Sequence, residues 1–422
     1  MTAQAPSDGL AAREAALHLL DATLARRGGL EEALGSGVFS RLEPRDRAFA
    51  RALAMAALRH LGPIDRALDG KLQRDPPARV RHILRLGAAQ AFWLDVPDFA
   101  AVSTSVEMAQ SDRASRPFKG LVNAVLRRLL ADGAPPADPE ALAPAWLYAR
   151  WRAAYGKDAD AIAAKIAEEP ATDLTLRDPA KPPALEGELL PGGSFRVGQK
   201  GDITLWPGYA EGDWWVQDAA AAVPARLLDV KPGETALDLC AAPGGKTLQL
   251  AAAGASVTAL DRSAPRLRRL KENLARIGLT AEVVVADAAE WKDERAFDAV
   301  LLDAPCASTG TFRRNPDVLW SITPPDIAKL AGVQARLLDS AAARVKPGGR
   351  LVYCVCSLEP EEGEAQAATF LKRHPEFKAV AIEPGEGGAP ETSATSQGWL
   401  RILPHHLPGG LDGFFAARFV RL

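Results

Sequence analysis

The chain has 422 residues, 47% of them hydrophobic and 25% charged, which is the balance of an ordinary globular protein with room for two or three domains. No uninterrupted apolar run reaches the roughly 20 residues of a membrane-spanning helix, and the opening MTAQAPSDGL lacks the basic and apolar segments of a secretory signal. These features exclude a membrane-embedded helical protein and set a cytoplasmic location as the expectation. The net charge of −2 hides a split: residues 1–130 carry 19 basic against 14 acidic residues, the remainder 32 against 39. Arginine predominates among those 19, and its planar fork suits phosphate. Arginine is favoured throughout the chain, however, so the split is weak support for nucleic-acid contact.

Residues 10–130 read as helices. Val80, Ile83, Leu84, Gly87, Ala88 and Ala91 recur at helical spacing on one face, with Arg79, Arg81 and Arg85 largely off it. A second amphipathic segment runs through Phe118, Leu121, Val122, Val125, Leu126 and Leu129, and RAFARALAMAALRH (47–60) is rich in good helix formers. This gives an all-α domain over 1–135. The proline-rich ADGAPPADPEALAP (131–144) reads as a linker, 145–170 as helical, TDLTLR (172–177) as a strand and 178–193 as loop. Strand-like pieces and an apolar helix fill 194–230, so 136–230 is expected to be linker helices with a small mixed α/β module.

From 231 to 422 strands and helices alternate, the signature of a mostly parallel sheet in an α/β Rossmann-like domain. TALDLC, SVTALD, EVVVAD and FDAVLLD are successive strands, a long helix covers 326–344, and GRLVYCVCS and GFFAARFV are later strands. The turn after the first strand reads DLCAAPGGKT (238–247), and adjacent glycines there let backbone approach a ligand at the carboxyl edge of the sheet. Asp261, Asp287 and Asp303 end the next three strands. Singly each acid is best read as a helix cap; together, beside one glycine turn, they suggest a ligand with hydroxyls and an amine. A phosphate loop is the rival reading, since Gly245, Lys246 and Thr247 fit G-x-x-x-x-G-K-[ST], but Cys240 occupies the place of its first glycine.

The four cysteines are Cys240, Cys306, Cys354 and Cys356, too few for a disulfide scaffold and without the paired spacing of structural zinc. Cys306, in DAPC, and Cys356, in CVCS, both end strands and should overlook the cofactor loop. Cys354 lies deeper in its strand and reads as packing. Position alone does not say which of Cys306 and Cys356 attacks.

DLCAAPGGKT, LLDAPCASTG, RRNPDVLW and CSLEPEEGE, in that order, resemble the RsmB/Sun-type RNA 5-methylcytosine methyltransferases. LEPRDRAFARALAMAALRH and RPFKGLVNAVLRR resemble the helical NusB-like domain of that family's bacterial branch. The resemblance implies a class I methyltransferase domain, S-adenosylmethionine as cofactor and small-subunit ribosomal RNA as partner, with no membrane or metal involved; the residues themselves leave transfer RNA or another RNA open as the alternative. It implies Cys356 as nucleophile and Cys306 as an aid to product release. It carries cofactor contacts to Cys240, Ala241, Ala242, Pro243, Gly244, Gly245, Lys246, Asp261, Asp287 and Asp303. Val355 departs from the family, which has Thr before the nucleophile.

The implied chemistry explains the cysteine. A thiolate added to carbon 6 of cytosine makes carbon 5 nucleophilic, splitting one hard step into easier ones. An acid near ring nitrogen 3, for which Asp303 is the candidate, neutralises developing charge. Arg313 and Arg314 are candidate contacts to flanking phosphates, equally readable as a solvated loop pair. Trp206, Trp214 and Trp215 read first as core and second as base-stacking surfaces.

Overall fold

The computed structural model describes residues 9–25, 29–35 and 37–422. Most of the N-terminal segment read for a targeting signal lies outside these. The chain forms two compact units, one running to Glu169 and taking in Phe312–Ser321, the other made of Pro170–Thr311 and Ile322–Leu422.

The first unit is helical. Its main helices are Leu10–Leu24, Pro44–Arg59, Leu61–Asp69, Ala78–Trp93, Asp98–Ser111 and Lys119–Ala131. The expected apolar faces meet in one core: Val80, Ile83, Leu84 and Ala88 are fully buried with Val122, Val125 and Leu126. Gly87 permits a close helix approach, since a Cβ there would lie 2.7 Å from Leu126 Cδ1. The arginines off that face are engaged internally. Arg85 Nη2 reaches Asp65 at 2.7 Å, Arg81 Nη1 and Nη2 reach Asp75 and Asp69, each at 2.6 Å, and Arg79 Nη2 reaches Glu14 at 2.8 Å. These pairings remove much of the support that the charge split lent to nucleic-acid contact.

The proline-rich stretch is not a free linker. Asp138 caps the short helix Pro139–Leu142, whose Ala141 and Leu142 are buried. Helices Ala145–Tyr155 and Asp158–Ala167 follow in the same unit. The expected middle module of 136–230 is therefore divided, because the buried Leu147, Trp151, Ile162 and Ile166 commit its helices to the first unit.

The second unit opens with an antiparallel sheet of β1 (Thr172–Leu176), β2 (Gly187–Leu189), β3 (Ser194–Val197) and β4 (Trp214–Val216), in the order β2-β3-β1-β4. β2 falls in the stretch expected to be loop; all three residues are exposed, so no apolar alternation marks it. Trp206 and Trp214 pack inside this sheet's core with Leu174 and Phe195, and Trp215 packs against Leu267 and Leu270, so none of the three tryptophans is a stacking surface.

The larger sheet contains β5 (Thr235–Leu239), β6 (Ser256–Asp261), β7 (Glu282–Val285), β8 (Phe297–Asp303), β9 (Val345–Val355), β10 (Phe377–Val380), β11 (Leu400–Ile402) and β12 (Phe414–Arg421). Its order is β10-β12-β9-β8-β5-β6-β7, with β11 on β12. Strands β5 to β9 are parallel, and β12 runs antiparallel to both β9 and β10. The central strands read as continuous apolar runs because helices cover both faces. Strand order reverses at β5, which places a ligand crevice over the carboxyl ends of β5 and β8. Among the described residues no helix is long and apolar enough to cross a membrane.

Candidate active site

At the end of β5 the chain turns through Cys240, a non-glycine residue at φ +62°, and Gly244 at φ +111°, before the helix Gly245–Ala252. Gly244 is dictated by packing as well as by φ, since a Cβ there would sit 2.8 Å from Leu270 Cγ. Two loop amides are spent within the protein: Ala241 N–H donates to Leu260 O at 3.0 Å and Ala242 N–H to Asp261 Oδ2 at 3.1 Å. Asp261 also accepts Ser263 N–H at 2.8 Å. Asp287 is exposed beyond β7 and accepts Ala289 N–H, while Pro243 is exposed on the loop.

Lys246 is 8% exposed and donates through Nζ to Asp303 Oδ2 at 2.7 Å, with the Phe414 ring 5.0 Å away. Burial pulls its ammonium down, but the Asp303 carboxylate outweighs this and keeps it charged. Cys354 Sγ donates to Asp303 Oδ1 at 3.5 Å, so Cys354 is both packing and a partner of the site acid. Beneath them Asp238 is fully buried, accepting Thr247 Oγ1–H at 2.6 Å on one oxygen. Burial pushes its carboxyl up to about 7. Burial, then the carboxylates of Asp261, Asp303 and Asp238, push the Cys240 thiol far up, which makes it a poor nucleophile.

Cys306 and Cys356 meet, with their sulfurs 3.5 Å apart and both unoxidised. Ser308 Oγ lies 3.9 Å from Cys306 Sγ and 3.6 Å from Cys356 Sγ. The hydrogen bond to Cys356, then burial, raise the Cys306 thiol well above the ordinary range. Cys306 therefore holds its proton, and its sulfur lies within hydrogen-bond reach of Cys356. The two turns are stitched together: Gly310 N–H donates to Cys356 O at 3.0 Å, and Leu358 N–H to Thr309 Oγ1 at 3.0 Å.

The expected residues Cys240 to Lys246, Asp261, Asp287, Asp303, Cys306 and Cys356 thus lie at or just beyond the carboxyl ends of β5, β6, β7, β8 and β9, at one edge of the sheet. Arg313 does not join them. It is fully buried in the first unit, where its carbonyl accepts from Arg59 Nη2 at 2.8 Å, so its guanidinium offers no surface to a phosphate. Arg314 in the same unit is half-buried. The sequence reading missed Asp238, an acid inside an apolar strand, and Glu362, one of several acids in CSLEPEEGE. Among the described residues no cluster of His, Cys, Asp and Glu is arranged to hold a metal ion.

The family described as 16S rRNA methyltransferase RsmB/F matches residues 225–420, and the NusB family matches residues 10–131. A ribosomal RNA small subunit methyltransferase B from Xanthomonas campestris is 35% identical, covering 100% of this chain and 99% of its own. One from Thermus thermophilus is 38% identical, with 90% and 89% covered. The crystal structure of a methyltransferase homologue from Pyrococcus horikoshii superposes with a TM-score of 0.56 at 26% identity, covering 66% of this chain and 95% of its own.

Proposed function

This chain belongs to the 16S rRNA methyltransferase RsmB/F family, and from that premise we propose that it methylates carbon 5 of a cytosine in small-subunit ribosomal RNA through a covalent adduct on Cys356. The enzyme depends on S-adenosylmethionine, which supplies an electrophilic sulfonium methyl group. The donor set fits that cofactor: Asp261 and Asp287 suit ribose hydroxyls and an amine, and an acid-lined rim favours a cationic ligand. A polyphosphate would meet the same carboxylates and a loop whose Ala241 and Ala242 amides are already used.

The pair of sulfurs at 3.5 Å carries the mechanism. In this reading Cys306, which holds its proton, can donate its S–H to Cys356 once that sulfur attacks as the thiolate, and this supports Cys356 as the attacking group. Cys356 adds to carbon 6, and the displaced electron pair moves through carbon 5 toward ring nitrogen 3. The Lys246–Asp303 pair at the end of β8 is the polar group for that end of the ring. Carbon 5 takes the methyl group and still carries its proton. Cys356 is now a thioether, so Cys306 no longer faces a thiolate, and it ionises more easily, its proton passing to solvent. Cys306 removes the carbon 5 proton, the carbon 5–carbon 6 double bond forms, and the carbon 6–sulfur bond breaks to return the Cys356 thiolate. The target base must leave its stack to reach these groups, and Arg314 remains a proposed RNA contact.

The test is a pair of variants incubated with 16S rRNA and methyl donor. Cys356→Ala should lose both methylation and covalent complex. Cys306→Ala should lose turnover by about 100-fold or more and accumulate a denaturant-resistant protein–RNA complex. Trapping by the Cys356 variant instead would reverse the assignment, and bisulfite sequencing of cellular 16S rRNA with and without the protein would locate the modified base.

A further inference from the structure

The acids of CSLEPEEGE carry no role in the mechanism above, yet Glu362 is fully buried behind the Cys306 turn. Both its oxygens accept the Ala307 N–H, at 3.0 and 3.1 Å, and Oε1 also accepts Gln334 Nε2 at 2.9 Å. The same Gln334 nitrogen donates to Pro305 O at 3.0 Å. Gln334, on the helix Pro324–Ala342, is itself fully buried. Its amide has one workable orientation, because both of its neighbours are acceptors and only the nitrogen carries two protons. The brace therefore grips the peptide groups on either side of Cys306, the carbonyl of Pro305 and the N–H of Ala307.

Burying a carboxylate is costly unless hydrogen bonds satisfy it. Glu362 has no cation among these partners; it is held by amide donors and by the Ser357 hydroxyl, and burial raises its carboxyl above the ordinary range. A neutral apolar residue would fill the same volume at lower cost, so an acid at this place points to a geometric demand on the turn. Glu362 has no path to substrate, being fully buried, so it acts on the reaction through the turns it holds, that of Cys306 through Ala307 and Gln334 and that of Cys356 through Ser357.

We propose that Glu362, with Gln334, is a positioning residue for product release, fixing the Pro305–Ala307 turn so that Cys306 Sγ stands against Cys356. The proposal rests on the reading of Cys306 as the release cysteine. It requires that loss of the brace affect release more than attack, because the two peptide groups it grips flank Cys306, whereas Cys356 continues directly from β9.

The experiment uses the full-length enzyme with a 16S rRNA transcript and labelled S-adenosylmethionine. Glu362→Gln keeps the shape but sets an amide against donors. It should lower multiple-turnover methylation by about 10- to 100-fold while the first methyl transfer persists and denaturant-resistant protein–RNA complex accumulates, as in Cys306→Ala. Combined with Cys306→Ala it should add nothing further, since both act on one step. Gln334→Met, which removes the shared donor without adding charge, should show the same pattern and serves where Glu362→Gln folds poorly. Parent-like turnover in both variants, equal loss of attack and turnover, or a multiplicative effect in the double variant would overturn the brace. Absence of trapped complex in Cys306→Ala itself would instead overturn the release reading on which the brace rests.

Discussion

Single residues in this site are set by what neighbours do to their charge. Asp238 is the clearest case. It is fully buried at the end of β5, its carboxyl is raised to about 7 by burial, and Thr247 partly offsets this by donating to one oxygen. Unfolded, an aspartate titrates near 3.9. A folded value above the unfolded one means the native state binds the proton more tightly. Its stabilising contribution is therefore complete below about pH 4 and is lost as pH rises through about 7. Asp238→Asn accepts the Thr247 hydroxyl through its carbonyl oxygen and never ionises. Urea unfolding of the two proteins should show the parent losing ground to the variant steadily between pH 4 and 8. Parallel curves across that range would mean that Asp238 is ionised throughout. Lys246 is the opposite case, a buried cation kept charged by Asp303.

At the scale of elements, two turns from different strands are held edge to edge, and one glycine makes this possible. Gly310 N–H reaches Cys356 O, and Gly413 N–H reaches Gly310 O at 2.8 Å. A Cβ on Gly310 would lie 2.1 Å from Gly413 O, a backbone atom that cannot swing away. Gly310→Ala should cost about 1–3 kcal/mol through overpacking and slow methylation, because the displaced turn also carries Cys306. Gly332→Ala is the control: nothing lies within 4 Å of its added Cβ in the helix Pro324–Ala342, and it should stabilise by about 0.4–1 kcal/mol. Thermal melting with activity assays separates the two, and similar behaviour would remove the close approach as the cause. Much of this element pattern is legible in sequence, since apolar strands buried on both faces and helices with one apolar face declare themselves by period. The loop DLCAAPGGKT and the edge placement of Cys306 and Cys356 are legible for the same reason, being punctuation between periodic segments. What is not legible depends on distant partners. β2 is paired only through β3 and has no apolar alternation. Arg313 looks like a solvated basic residue until the segment around it is found buried. Glu362 cannot be told from its acidic neighbours without knowing that Ala307 and Gln334 surround it.

At the scale of the whole chain, the helical unit is completed by residues from far down the sequence. Phe312–Ser321 belong to it, although the chain on either side belongs to the other unit. Phe312 is fully buried, with its ring centroid 5.7 Å from that of Trp151. Arg59 Nη2 donates to Arg313 O, its Nη1 to Ile166 O and Glu168 O, each at 2.8 Å, and Trp320 Nε1 donates to Leu58 O at 3.1 Å. Burial pulls the Arg59 guanidinium down to about 10, yet it stays charged at neutral pH and satisfies three carbonyls. Phe312, the fully buried Leu319 and Trp320 thus anchor the excursion together with its hydrogen bonds to Arg59 and Leu58. Removing the aromatic ring should loosen it selectively: Phe312→Ala should cost about 3–5 kcal/mol locally through lost burial and an unfilled cavity. Native-state hydrogen exchange should then show the amides of 312–321 opening well before those of β5 and β8, where the parent protects both. Equal protection of the segment in variant and parent would show that Leu319, Trp320 and the bonds to Arg59 and Leu58 suffice to hold it.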